Sequence, residues 1–339
     1  MAKISFIAAD GCIFSGISGL IDSFTIANLW HSANTGKKSE PLFETEILSP
    51  DGKAFCVSGG FQITPDGSFM DVEQTDLVII PPFLPNVELL RENAKDMLDW
   101  ITARYEQGVS IAALCTGSFV LAETGLLDGR LATTNWIFAR LFRRRYPKVL
   151  LKPERILTQD KGLICSGAVS AFYNLGLHVI ETFGSAELAS QCSKSLLVDS
   201  SRASQASYAM LNVYKGHGDD GILKAQQWME AHLTEKMSME NLAGHVGISP
   251  RHFIRRFKKA TGESPLNCLQ QMRIETAKKI LETRTDRVDE ITRSIGYENS
   301  STFRKLFKKY TGLSPREYRN KFTRRQNQAR NRKSQNLPA

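Results

Sequence analysis

The chain has 339 residues, of which 42% are hydrophobic and 23% are charged. This length is too great for one compact core and predicts two domains, and the composition excludes wholesale disorder, collagen and coiled-coil arrays. The sequence has no signal-peptide pattern and no run of about 20 apolar residues, the length that spans a bilayer. Its six cysteines lack zinc-ligand spacing, and no phosphate-binding glycine motif occurs. We therefore expect a cytoplasmic protein with reduced thiols and with neither a metal nor a cofactor.

Charge is distributed unevenly along the chain. The net charge is +9, yet residues 222–339 hold 25 Lys and Arg against 11 Asp and Glu, whereas residues 1–221 hold 19 against 24. A strongly basic module thus follows a mildly acidic one. Such asymmetry is typical of chains whose basic part meets nucleic acid or a membrane surface. It argues against a uniformly basic enzyme that handles anionic substrates.

The N-terminal part alternates between short apolar runs and amphipathic helical patterns. The runs are rich in β-branched residues and bounded by turn residues, which is typical of buried strands. Strand–helix alternation predicts an α/β domain with a doubly wound, flavodoxin-like parallel sheet over residues 1–198. The predicted strands are residues 4–8, 77–80 and 109–114, and the predicted helices are residues 17–30, 87–105, 168–183 and 186–198.

The composition changes after this domain. In residues 199–220, four serines precede the sequence Lys-Gly-His-Gly-Asp-Asp, and this predominance of short polar residues and glycine predicts a linker. The chain is then helical by pattern over residues 221–322. Residues 323–339 are basic, rich in Asn and Gln and poor in apolar residues, so we expect a disordered tail there.

The helical part contains an internal repeat, because residues 249–265 recur as residues 299–315. The matched positions include two phenylalanines four residues apart and a Gly-x-Ser-Pro ending. Each copy therefore predicts a short helix, a turn with glycine and a second helix, the helix-turn-helix arrangement. In the first copy, Ser249 can cap a helix that starts at Pro250, with Phe253 and Phe257 facing the core. The opposite face carries cationic and hydrogen-bonding side chains.

Residues 222–322 resemble the DNA-binding domain of AraC/XylS-type regulators, in which a long helix, here residues 265–282, joins two helix-turn-helix units. The resemblance implies a promoter in double-stranded DNA and RNA polymerase as partners, with one helix of each unit in successive segments of the major groove. Carried over by position, it implies base contacts from Arg251, Ile254, Arg255, Ser300, Ser301, Thr302, Arg304 and Lys305, and phosphate contacts from Lys258, Lys259, Lys308 and Lys309.

A second motif lies in the N-terminal part, where the predicted strand at 109–114 runs into Cys115 and a helical pattern. A cysteine at such a strand–turn–helix junction resembles a nucleophile elbow, with an exposed sulfur that the helix start would favour as a thiolate or beside an anion. With the segment Leu131-Ala-Thr-Thr-Asn-Trp, residues 1–197 resemble the PfpI-type, class I glutamine amidotransferase-like fold. The domain order is that of GlxA-type regulators. This resemblance implies a homodimer and a small-molecule effector, with pocket candidates Cys115, Thr116, Gly117, Asn135 and Trp136.

The same fold also serves enzymes, so the alternative is a Cys115-dependent hydrolase or hydratase tethered to DNA. Enzymes of this fold place a histidine directly after the cysteine or an acid after the first strand. This chain has Thr116 and Gly16 at those positions, and Asn135 where a histidine is often found. We therefore predict a ligand pocket without turnover. Cys115 as a buried spectator or as a redox-sensitive thiol stays open, as do activation against repression and a purine, an amino-acid derivative or a quaternary amine as effector.

Overall fold

The computed structural model describes residues 1–36, 40–83, 95–210 and 214–323. The chain divides into two compact units, Met1–Gln205 and Ala206–Ala339, so the division falls inside the predicted linker. The predicted tail, apart from Thr323, lies outside the described residues, as do residues 84–94 at the start of the predicted helix 87–105 and residues 211–213 of the linker. In the part of the chain that is described, no helix is both long and apolar enough to cross a membrane.

The first unit is built on a seven-stranded sheet in the order β10-β11-β7-β6-β1-β2-β5. All neighbouring strands run parallel except the edge pair β10 and β11. Two further pairs, β3 with β4 and β8 with β9, lie outside this sheet. The strands are β1 Ala2–Ile7, β2 Phe43–Ser49, β3 Phe55–Cys56, β4 Gln62–Ile63, β5 Gly67–Ser68, β6 Leu77–Ile80, β7 Ser110–Leu114, β8 Leu131–Ala132, β9 Leu150–Leu151, β10 Leu157–Asp160 and β11 Leu163–Ser166.

The helices of this unit cover the sheet and confirm the predicted α/β class. Three of them pack on one another, α1 against α5 and α6, while α2 and α3 contact β7. The central strands are almost wholly apolar and buried because both of their faces are covered, as expected of a parallel sheet. The helices are α1 Phe14–Thr35, α2 Lys95–Glu106, α3 Gly117–Glu123, α4 Ala139–Arg145, α5 Phe172–Phe183 and α6 Ala186–Ser195.

The second unit is helical and holds two cores that share one helix. Cys268, Leu269 and Met272 of the long helix α10 join the first core, and Ile274 and Leu281 of the same helix join the second. This helix therefore fixes the two helix-turn-helix copies relative to each other. The helices are α7 Asp220–Ala231, α8 Met239–His245, α9 Pro250–Thr261, α10 Pro265–Thr283, α11 Val288–Ser294, α12 Ser300–Thr311 and α13 Pro315–Phe322.

The helix ends of the repeat follow their sequence signals. The Ser249 hydroxyl accepts a hydrogen bond from the His252 amide, with Pro250 as the first helical residue of α9. Gly262 and Gly312 end α9 and α12 in the left-handed conformation, at φ 80° and 74°. The phenylalanine pairs of both copies are fully buried. The predicted caps and core positions of both copies are thus confirmed.

One ion pair in the first copy depends on a residue outside the repeat. Asp219 caps α7 by accepting the Ile222 amide, and the same carboxylate receives two hydrogen bonds from the Arg256 guanidinium, at 2.7 and 2.8 Å. This bidentate pair holds the pKa of Asp219 below its usual range. The neighbouring Arg255 is exposed and makes no ion pair within the described residues. Two adjacent arginines therefore have different environments.

We predict that Arg256→Ala lowers the melting temperature by a few degrees, whereas Arg255→Ala leaves it unchanged, because only Arg256 joins α9 to the start of α7. Since the pKa of Asp219 is lowered in the folded chain, the pair stabilises above the unfolded pKa of Asp, and this contribution is lost as the pH falls through the folded value. Thermal unfolding from pH 7 to pH 3 measures both effects. Equal melting temperatures for the two variants at pH 7 would contradict the assignment.

Candidate functional site

Cys115 lies at the turn between β7 and α3 with a left-handed backbone, φ 53°. Its carbonyl accepts hydrogen bonds from the Ser118 hydroxyl at 2.7 Å and the Thr134 hydroxyl at 3.0 Å, and its amide donates to the Ser166 carbonyl at 3.0 Å. A non-glycine residue in this region is strained and persists where surrounding contacts hold it. The predicted strand–turn–helix arrangement at the cysteine is confirmed.

The turn also requires glycine at position 117. A Cβ atom built on Gly117 would lie 2.6 Å from the Ile80 carbonyl oxygen and 2.7 Å from that of Pro81, which real Cβ contacts do not show. The start of α3 therefore packs directly on the backbone that leaves β6. This close approach brings the carboxyl ends of β6 and β7 together, next to the point where the strand order reverses between β1 and β6.

Thr116 serves the same junction. Its hydroxyl donates to the Phe83 carbonyl at 2.7 Å and accepts from the Phe83 amide at 3.0 Å. Both partners are backbone groups, and the side chain is buried. Thr116 thus occupies the position after the cysteine with a hydroxyl that is already bonded to the chain, which leaves little capacity for proton transfer.

The expectation of an exposed sulfur at Cys115 is wrong. The residue is only 2% exposed, and the Asn135 side-chain amide donates to its Sγ atom at 3.6 Å. Burial raises the pKa of the Cys115 thiol and outweighs the donors from Asn135 and Thr116, which act in the opposite direction. The thiol form is therefore favoured over the expected thiolate. No ionisable side chain of the described chain is among the groups that shift this pKa.

Asn135 connects the cysteine to the segment that follows β8. Its Oδ1 atom caps a short 3-10 helix, Trp136–Phe138, by accepting the Ile137 amide at 3.1 Å, while its Nδ2 atom faces Cys115. Trp136 is half-buried beside it. The structure thus brings Cys115, Gly117 and Asn135 to one edge of the sheet. Sequence reasoning missed Ser118 and Thr134, although Thr134 stands inside the Thr-Thr-Asn segment that was singled out.

A separate cavity of about 380 Å³ lies between α5, α6 and residues 200–203. Its polar lining includes Asn174, His178 and Glu181 of α5 and Arg202. The Nε2 atom of His178 is buried without a hydrogen-bond partner among the described residues, and burial lowers the pKa of this imidazole. The lining of this cavity includes none of the residues of the Cys115 turn. Nowhere in the described ranges do three or more His, Cys, Asp or Glu side chains meet in a way that could hold a metal.

The predicted DNA-contacting side chains lie on one face of each helix-turn-helix copy. Those of α9 are all exposed, including Ile254 at 40%, while the core side of the same helix is buried. Those of α12 are exposed except Ser300, which is half-buried. One groove of the second copy is lined by Ser300, Ser301, Arg304, Lys305, Lys308 and Ser314, so it collects five of the predicted residues.

Asp289 of α11 is a member of this surface that the sequence did not indicate. Its carboxylate accepts the Ser300 hydroxyl at 2.7 Å and lies 3.3 Å from the Arg304 guanidinium. The pKa of Asp289 is lowered by the Ser300 hydrogen bond and by Arg304. An exposed pair of this kind contributes little to stability, but it gives Arg304 a defined direction at the start of α12.

We predict that Gly117→Ala destabilises the first unit by about 1–3 kcal/mol, the usual cost of forcing an atom into a packed site. Gly67→Ala is the matched control, because a Cβ atom there meets nothing within 4 Å. Chemical denaturation of both variants measures the difference. A loss for Gly117→Ala no larger than that of the control would mean that the backbone contact with Ile80 and Pro81 is not a constraint.

Comparison with known proteins agrees with this division of the chain. Residues 32–182 match the DJ-1/PfpI family, and residues 242–321 match a helix-turn-helix domain. The chain is 27% identical over 306 residues to the HTH-type transcriptional regulator GbdR of Pseudomonas aeruginosa, covering 88% of this chain and 82% of that one. It is 25% identical over 316 residues to the HTH-type transcriptional regulator CdhR of the same species, covering 93% and 90%.

A solved structure from Vibrio parahaemolyticus shares the fold of the first unit. The TM-score is 0.51 at 22% identity, covering 57% of this chain and 98% of that one. GbdR and CdhR are both named as transcriptional regulators. The two family matches occur along the chain in the same order as the two units of the structure. The protein is a DNA-binding transcriptional regulator in which a DJ-1/PfpI-type α/β domain precedes a helix-turn-helix domain.

Proposed function

We propose that the protein is a sequence-specific regulator whose α/β domain binds a small molecule at the Cys115 turn and thereby changes promoter binding or activation. In this proposal residues 1–198 sense the effector and residues 221–322 bind promoter DNA. The observation that supports it best is a contrast between the two units. One unit exposes cationic side chains on a face of α9 and of α12, whereas the other buries Cys115 in a turn with polar neighbours. An effector acts by its differential affinity for two states of the chain, typically about 1–3 kcal/mol.

The DNA part of the proposal rests on the faces of α9 and α12. Each helix buries two phenylalanines and exposes cations and hydrogen-bonding groups on the opposite side. Because α10 contributes to both cores, the two helices have a fixed spacing, as needed to enter major-groove segments about 34 Å apart on one DNA face. Arg251, Arg255 and Arg304 are assigned to bases, and the lysines nearer the C-termini of α9 and α12 are assigned to phosphates.

The effector part rests on the position of Cys115. The turn lies at the carboxyl edge of a parallel sheet next to the reversal of strand order, where ligands of open α/β sheets bind. The Asn135 side-chain amide supplies a directional polar group there, next to the Cys115 sulfur. A small-molecule site needs few such groups in a mostly apolar surround. Cys115, Thr116, Gly117, Asn135 and Trp136 are therefore retained as the proposed pocket.

We assign this pocket to binding rather than to turnover. Nucleophilic catalysis by cysteine needs a thiolate and a group that moves protons. Burial raises the pKa of Cys115, and its side-chain neighbours are an amide and a bonded hydroxyl. A DNA-tethered hydrolase or hydratase is the rival function. Substrate turnover that disappears in Cys115→Ser would favour that rival.

Assembly belongs to the same proposal. Leu29 of α1 is 66% exposed and Leu197, after α6, is 93% exposed, while the Trp30 indole donates to the Ser195 hydroxyl and so joins these two helix ends. These exposed leucines are candidates for the interface of a homodimer formed by the first unit. We also propose RNA polymerase as a partner and the cytoplasm as the location, since the relatives are named as transcriptional regulators.

For DNA recognition we predict that Arg255→Ala weakens operator binding by about 1–3 kcal/mol while binding to random DNA changes little, as expected of a base contact. Lys258→Ala is the control for a phosphate contact. It should weaken both kinds of binding alike and reduce the slope of log affinity against log salt by about 1. Fluorescence anisotropy with operator and random duplexes measures both variants. Equal losses on the two duplexes for Arg255→Ala would assign that side chain to phosphate.

For the effector we predict that a ligand found among purines, amino-acid derivatives and quaternary amines raises the melting temperature of the wild-type chain and shifts its operator affinity. Asn135→Ala should abolish both effects, because it removes the amide that faces Cys115. His178→Ala is the control, since it alters only the cavity beside α5. A ligand whose effects survive Asn135→Ala but not His178→Ala would bind in that cavity instead.

A further inference from the structure

Gln205, the last residue of the first unit, is held by an unusual number of hydrogen bonds for a surface connection. The residue is 3% exposed. Its Nε2 atom donates to the carbonyls of Thr134 and Pro153, both at 2.8 Å, and to that of Arg155 at 3.1 Å. Its Oε1 atom accepts the Ala168 amide at 3.1 Å. Both ends of the side-chain amide are therefore satisfied by backbone groups of three separate segments.

The space for this side chain depends on a glycine. A Cβ atom built on Gly167 would lie 2.7 Å from the amide carbon, nitrogen and oxygen of Gln205. Gly167 directly follows β11, whose last residue, Ser166, accepts the hydrogen bond of the Cys115 amide. The Gln205 amide thus lies beside the strand end that also supports the cysteine turn.

Gln205 and Cys115 are joined through two consecutive residues. The Thr134 carbonyl accepts from Gln205, while the Thr134 hydroxyl donates to the Cys115 carbonyl at 3.0 Å. The next residue, Asn135, donates to the Cys115 sulfur. Any displacement of residues 134–135 therefore alters the contacts of Cys115 and of Gln205 together.

The residues directly after Gln205 are anchored as well, within the second unit. A short 3-10 helix, Ala206–Tyr208, packs against α12, and the Tyr208 ring lies 5.4 Å from that of Phe322. The Ala209 carbonyl accepts a hydrogen bond from the buried ammonium group of Lys278 in α10. The chain around residues 205–209 is thus bonded to the cysteine turn on one side and to the helix-turn-helix core on the other.

We propose that Gln205 is the positioning residue that couples the Cys115 turn to the DNA-binding unit. This inference rests on the proposed function, since it names the connection through which an effector would act. A ligand that moves residues 134–135 removes an acceptor of the Gln205 amide, and the segment that leads to Ala206 is released. The amide keeps its hydrogen bonds to these carbonyls only because Gly167 leaves room for it. By linkage, DNA bound to the second unit alters the opening of the turn by the same factor.

The test uses the full-length chain and needs no effector. N-ethylmaleimide is the probe, and the background carries Cys56→Ser because Cys56 is the exposed cysteine among the described residues. Alkylation of the buried Cys115 requires opening of the turn, so its rate, followed by mass spectrometry of the Cys115 peptide, reports that opening. We expect a saturating operator duplex to change the rate at least about fivefold, the lower end of ordinary coupling factors.

Variants of Gln205 and Gly167 then test whether the coupling passes through the Gln205 side chain. Gln205→Ala and Gln205→Met should reduce the effect of the duplex to less than about twofold, as should Gly167→Ala, which displaces the amide without altering Gln205. Ser204→Ala is the matched control: it removes the hydroxyl of the adjacent residue, which donates to the Glu154 carbonyl, and should keep the full effect. Three variants are used so that the coupling can still be tested if one of them fails to fold.

The outcomes separate this inference from the proposed function. No change of the Cys115 rate on operator binding in the Cys56→Ser background would overturn the coupling, as would a full effect in folded Gln205→Ala. Either result would leave DNA recognition intact. Absence of operator preference in the same background would instead contradict the sequence-specific regulator itself.

Discussion

A residue other than glycine with a left-handed backbone costs roughly 1–3 kcal/mol, and the first unit maintains one at Cys115 by means of contacts from four directions. Hydroxyls of Ser118 and Thr134 bond its carbonyl, the end of β11 bonds its amide, and Gly117 lets α3 meet the backbone after β6. The edge of the sheet that we propose as the effector site is arranged around this turn. Because Thr134 and Ser166 are distant in sequence from the turn, a displacement of either one alters the contacts of the cysteine.

The second unit follows a different constraint, the sharing of α10 between two small cores. Neither helix-turn-helix copy closes its core without this helix, so α9 and α12 are held at one spacing. Ion pairs then distinguish arginines of this unit that look alike in the sequence. Arg256 is fixed to Asp219 and Arg304 is directed by Asp289, while Arg255 makes no ion pair within the described residues. The surface that we predict to face DNA thus contains some arginines fixed by ion pairs and others without one among the described residues.

Much of this architecture was predictable from sequence because its determinants are local. Ser249 with Pro250, Gly262 and the paired phenylalanines specify helix starts, ends and buried faces within one turn, and the repeat provides each signal twice. The strand at 77–80 was predicted with its bounds, since a short run of β-branched residues between turn residues is typical of a buried strand. Base-contacting roles remain predictions.

What sequence could not provide depends on contacts between distant segments. The exposed sulfur expected at Cys115 is buried because Asn135, twenty residues away, lies against it. The separate role of Arg256 depends on Asp219, 37 residues earlier. Gln205 has no sequence signal at all, since an ordinary glutamine in a polar segment becomes an anchor only when Thr134, Pro153 and Arg155 present their carbonyls together.

Genome-wide occupancy, measured by chromatin immunoprecipitation and followed by binding of the purified chain to the recovered sites, tests the central claim most directly. A sequence-specific regulator predicts a small number of sharp promoter peaks that share one motif, with purified protein preferring those sites over random DNA by a factor of about 1,000 or more. Broad occupancy without a motif, and equal affinity for recovered and random duplexes, would contradict it.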